Sequence, residues 1–75
     1  MTFAYGDAQS AKQFYKTGLT FVEAKNYNDA IDQFTKAVQI DPEYVAAYIE
    51  RARTYLNINE MGKAAEDYDR ALVFK

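Results

Sequence analysis

The chain has no cysteine, no histidine and no tryptophan, and only one proline and three glycines. Without cysteine there is no disulfide, no thiolate nucleophile and no thiolate metal site. Without histidine, the commonest general base and the commonest metal ligand are both missing. Gly6, Gly18 and Gly62 are far apart, so no glycine-rich loop cradles a phosphate. Ser10 and the threonines have no histidine to activate them. The formal net charge of −2 does not suit a surface for nucleic acid or anionic membrane. No apolar run approaches the roughly 20 residues of a membrane span. The amino-terminal stretch MTFAYGD has neither the basic nor the apolar region of a signal peptide. These residues point to no catalytic group, no metal and no cofactor, and an enzyme is not expected.

What is present is apolar material: 49% of the 75 residues, including seven tyrosines and five phenylalanines. That suffices for one packed core. A chain this short nevertheless buries only about 60% of its unfolded surface, so its stability is expected to be marginal.

The apolar residues recur at a fixed period. Shifting the chain by 34 residues puts Phe14 on Tyr48, Gly18 on Ala52, Phe21 on Tyr55, Ala30 on Ala64, Phe34 on Tyr68 and Ala37 on Ala71. Large meets large and small meets small. A period between 20 and 50 residues marks a stacked repeat architecture. Ala11, Phe14, Tyr15, Gly18, Phe21 and Val22 trace one face of a helix, and Ala30, Ile31, Phe34, Ala37 and Val38 trace another. Lys25-Asn26-Tyr27-Asn28 separates them, asparagine favouring turns. Tyr48, Ala52, Tyr55 and Leu56 give a third face, and Ala64, Ala65, Tyr68, Ala71 and Leu72 a fourth, separated by Asn57-Ile58-Asn59-Glu60. Asp7 is read as the cap of the first helix. Asp41-Pro42-Glu43 is read as the start of the third, with an acceptor at the cap, proline at the first position and a carboxylate at the positive end of the dipole. Gly62 weakens the start of the fourth. The expected fold is all-α: four antiparallel helices forming two stacked helix-turn-helix units. The divisions are a tail over 1–6, a first helix pair over 7–41 and a second over 42–75.

These residues resemble the tetratricopeptide repeat, a 34-residue helix pair with W-x2-L-G-x2-Y, then A-x3-F, then proline. Phe14, Gly18 and Phe21 stand in the first motif, Ala30 and Phe34 in the second, and Pro42 closes the unit. Tyr48, Ala52, Tyr55, Ala64, Tyr68 and Ala71 repeat the set. Thr17 and Arg51 depart from it, replacing the usual leucine. The likeness spans about residues 8–75. It implies a protein-interaction module, in which the first helix of each pair lines a concave groove for a peptide or helix.

The corresponding positions are Lys12, Tyr15, Leu19 and Val22 on the first helix, and Ile49, Arg53, Leu56 and Asn57 on the third. Tyr15, Leu19 and Ile49 have no evident core duty, so this face either binds a partner or in part packs the two units together. One subclass of the family grips the acidic C-termini of heat-shock chaperones with lysine and asparagine. Those places fall on Tyr15, Leu19 and Glu50, so that ligand is not expected. A competing reading is self-association into dimers or larger oligomers, through an end face bearing Ala65, Leu72, Val73 and Phe74.

The remaining features read as structural. Phe14, Phe21, Phe34, Tyr48, Tyr55 and Tyr68 are assigned to the core. Glu66-Asp67-Tyr68-Asp69 lacks the spacing of a calcium loop and reads as a solvated acidic face. Asp32 with Lys36 and Glu66 with Arg70, each four apart, read as weak surface pairs.

Overall fold

The computed structural model describes residues 3–75, with side chains from Ser10 onward. Its four helices are α1 (Phe3–Glu23), α2 (Tyr27–Ile40), α3 (Val45–Asn57) and α4 (Met61–Phe74). No strand occurs among the described residues. α1 packs on α2 and α3 on α4, while α2 also packs on α3, joining the two hairpins. The fold is therefore the expected all-α stack of two helix pairs.

Each hairpin buries one small residue on each of its two helices. Gly18 is buried and Ala30 is at 0% exposure in the first; Ala52 is at 0% and Ala64 at 1% in the second. Small residues here let the helix backbones approach, and Phe34, also at 0%, fills the space beside them. A second cluster joins the hairpins. Ala37 and Val38 of α2 pack with Ala47 and Tyr48 of α3 and Ala71 of α4.

The two hairpin turns are copies of each other. Lys25 and Asn59, one period apart, both adopt the left-handed conformation, with φ of 63° and 65°. In the first turn the Asn26 amide donates to the Phe21 carbonyl at 2.8 Å, and in the second Glu60 donates to Tyr55 at 2.8 Å. This left-handed closure satisfies carbonyls that the helix end leaves free.

Two helix starts differ from the sequence reading. α1 begins at Phe3, so Asp7 lies inside the helix rather than at its cap, and its side chain is outside the described residues. α3 begins at Val45, with Tyr44 at the cap position. Asp41 and Pro42 instead form a tight turn. The Asp41 carboxylate accepts from the Glu43 amide at 3.2 Å, and the Asp41 carbonyl accepts from Tyr44 at 3.1 Å. A short acceptor side chain serves such a turn as readily as a cap. Tyr48 then holds the turn by donating its hydroxyl to the Pro42 carbonyl at 2.7 Å.

Candidate interaction surface

Helical spacing places Lys12, Tyr15, Leu19 and Val22 along one side of α1, and Ile49, Arg53, Leu56 and Asn57 along α3. Lys12, Arg53 and Asn57 are exposed, and Leu56 is 45% exposed. Leu19 and Val22 are half-buried.

Tyr15 and Ile49 do have core duty, contrary to the sequence reading. Both pack against the cluster that joins the hairpins. The Tyr15 ring lies 6.0 Å from Phe34 and 5.2 Å from Tyr44, tilted against each. Burial pushes the Tyr15 phenol above its usual pKa; the Glu50 carboxylate adds to that and Arg53 opposes it. Tyr15 on α1 therefore sits within the field of Glu50 and Arg53 on α3. Those two are themselves paired at 3.1 Å. Burial also raises Tyr44, with Tyr15 and Asp41 acting in the same direction. The result is a surface with an aromatic and aliphatic floor, exposed basic groups at Lys12 and Arg53, and the half-buried Glu50 carboxylate paired with Arg53.

The polar centre of the molecule lies elsewhere and was not read from the sequence. Asp67 is only 1% exposed and does not belong to a solvated acidic face. Arg51 grips it with two bonds, Nε to Oδ2 and Nη2 to Oδ1, both 2.7 Å. Such a paired fork is among the strongest hydrogen-bonded arrangements available to side chains. The remaining Arg51 nitrogen donates to the Thr35 hydroxyl on α2 at 3.1 Å. The bond to Asp67 raises the Arg51 pKa further, overcoming the opposing effect of burial. Arg70 adds a 3.1 Å bond to Asp67, so its partner is this buried acid and not Glu66. Asp32 and Lys36 form no ion pair among the described residues; the Lys36 ammonium instead lies 5.5 Å above the Phe14 ring.

Signals for the network were present. Arg51 stands where the repeat has leucine, and Ala64, Asp67 and Ala71 share one helical stripe. Opposite charges on two buried stripes imply each other. The aromatic assignments also need one change. Phe34 and Tyr48 are buried, Phe14, Phe21 and Tyr55 are half-buried, but Tyr68 is 36% exposed. Among the described residues no helix lies on the far side of α4, as α3 lies on α2.

Two stacked helical hairpins with this spacing define an α-helical repeat protein. The Tetratricopeptide repeat family model matches residues 21–72, and the chain belongs to that family. Its relatives include human DnaJ homolog subfamily C member 7, 31% identical over 81% of this chain. Tetratricopeptide repeat protein 36 of Caenorhabditis briggsae is 36% identical over 83%, and human Sperm-associated antigen 1 is 32% identical over 88%. The matched segment spans 12%, 35% and 7% of those three proteins. The family is a protein-interaction fold, and the chain is a module of that family.

Proposed function

We propose that the module holds a peptide or helix of a partner protein on the α1/α3 side, across both units (7–41 and 42–75), and performs no catalysis. The carrying observation is the Tyr15 ring of α1 packed 5.2 Å from Tyr44, on a side where Lys12 and Arg53 are exposed. It gives an apolar floor between exposed polar guides, Lys12 and Arg53. Leu56, 45% exposed, extends the apolar strip. Single exposed apolar residues mean little, but a contiguous strip supports a partner.

The ligand is an apolar or amphipathic segment, not the acidic C-terminus of a chaperone. Tyr15 and Leu19 stand where lysine and asparagine would be needed. Glu50 places a carboxylate near the same spot, which repels an acidic terminus.

A random-peptide display library tests this reading. Enriched peptides should be rich in apolar residues and should lose binding to Leu56→Asp and Arg53→Glu chains. Both positions are exposed, so helical circular dichroism should be unchanged. Enrichment of peptides with acidic C-termini, or binding indifferent to both substitutions, would refute the reading.

A further inference from the structure

Arg51 shows, inside the molecule, how this chain holds and uses a guanidinium. Its Nη1 donates to the Thr35 hydroxyl at 3.1 Å, and the opposite edge, Nε with Nη2, grips the Asp67 carboxylate with two bonds of 2.7 Å. Two residues on, Arg53 repeats the first half of that arrangement at the surface. Its Nη1 donates to Glu50 Oε2 at 3.1 Å. Its Nε and Nη2 make no hydrogen bond among the described residues. The Arg53 side chain is 64% exposed and that of Glu50 is 21% exposed.

The surface beside Arg53 decides what kind of carboxylate can reach that edge. Ile49 and Leu56 lie one helical turn before and after it, on the same side of α3. Ile49 is half-buried against the cluster that joins the hairpins, and Leu56 is 45% exposed. A ligand chain that meets Arg53 therefore finds apolar surface on both sides of it. An acid within an apolar segment fits this place, and an acid at the end of a chain does not use it fully. Arg70 holds its Nη1 on Asp67 in a similar way. One turn before Arg70, however, stands Glu66, which presents a carboxylate instead of an apolar contact.

We propose, resting on the partner groove argued above, that Arg53 determines which segment that groove accepts. Its Nε/Nη2 edge takes one aspartate or glutamate side chain of the partner, with apolar residues on both sides of that acid. Glu50 is the positioning residue that holds the guanidinium for it. A paired fork on a carboxylate is stronger and more directional than a single bond. A long exposed side chain gives up rotamer freedom when it binds, and one already held at Nη1 gives up less. Glu50 also limits what can enter. Its half-buried charge lies beside the fork, so a single carboxylate is balanced by Arg53 while a cluster of them is repelled. Selection is thus for one acid in apolar surroundings.

Peptides selected from a random display library on the parent chain are the probes, synthesised with free and with amidated carboxyl termini and titrated by fluorescence anisotropy. They should share one Asp or Glu between apolar residues, and amidation should leave their affinity unchanged. Changing that acid to its amide should weaken binding to the parent at least about fivefold. The same change should matter little on the Arg53→Gln chain, since the two groups form one contact. Glu50→Ala should weaken binding about threefold or more, and Glu50→Gln, which keeps an acceptor for Nη1, should restore it. Peptides without a shared acid overturn the proposal, as do additive effects of the two changes, loss of binding on amidation, or Glu50→Gln as weak as Glu50→Ala. The groove itself fails in a different way. Binding indifferent to Leu56→Asp removes the groove and this proposal together, whereas Leu56-dependent binding of acid-free peptides removes only the role of Arg53.

Discussion

An added Cβ at Gly18 would lie 2.5 Å from Cε1 of Phe34 and 2.7 Å from its Cδ1. The ring of α2 occupies the space that a side chain on α1 would need. Gly18→Ala should therefore destabilise the chain by about 1–3 kcal/mol through overpacking. Phe34→Ala should cost roughly 3–5 kcal/mol, enough to unfold so small a domain. The second unit has Ala52 and Tyr68 at these places. Tyr68 is 36% exposed, so Tyr68→Ala should cost clearly less than Phe34→Ala. Urea unfolding of the three variants checks the order; equal losses at Phe34 and Tyr68 would contradict it.

Lys25 adopts a conformation that side chains with a Cβ enter at a cost, and its copy in the second turn is asparagine, which tolerates it better. Replacing Lys25 with glycine should stabilise the chain by about 0.5–1 kcal/mol. Asn59→Ala should do the reverse. A higher denaturation midpoint for Lys25→Gly is the expected result; a lower one would show that the side chain has a role beyond the turn.

The Arg51–Asp67 fork is buried, so its partners are worth little separately. Asp67→Ala leaves a guanidinium short of its acceptor and should cost about 3 kcal/mol or more. Arg51→Met together with Asp67→Leu should lie nearer the parent, because no charge is then stranded. A double-mutant cycle measures the coupling. A double variant as unstable as the sum of the single ones would mean that the two side chains act independently.

The raised phenol pKa values of Tyr15 and Tyr44 set an alkaline limit. A group whose pKa is higher folded than unfolded stabilises the fold while protonated. That contribution is fully present below the unfolded value of about 10 and is lost as pH climbs through the folded one. Unfolding free energy measured between neutral pH and the alkaline range should fall in this window. In Tyr15→Phe and Tyr44→Phe chains the fall should be shallower; an identical profile would remove these phenols as its cause.

The hairpin plan was legible because it rests on repetition: Gly18, Ala30 and Phe34 recur as Ala52, Ala64 and Tyr68, and periodicity survives without knowledge of contacts. Helix ends were less legible. Asp41, Pro42 and Glu43 satisfy a cap and a tight turn equally, and the choice was made by Tyr48 bonding Pro42 and Tyr44 packing at a tilt against Tyr15. The Arg51–Asp67 pair joins residues on different helices, and each read alone was only an oddity. Of the proposed groove, the α1 and α3 positions followed from spacing. That Tyr15 and Ile49 also carry the core did not, since a half-buried residue serves both sides at once.

The packing of α4 on α3 also sets where the described residues give way. α2 and α3 are clamped from both sides and share the reach of Arg51 to Thr35, whereas α4 is gripped along one flank only. Local opening should start at the last helix and travel inward, giving a gradient of amide-exchange protection that is highest at the central pair. The helix with the fewest neighbours among the described residues is thus the first to let go, and anything that covered it would tighten the weakest part of the fold.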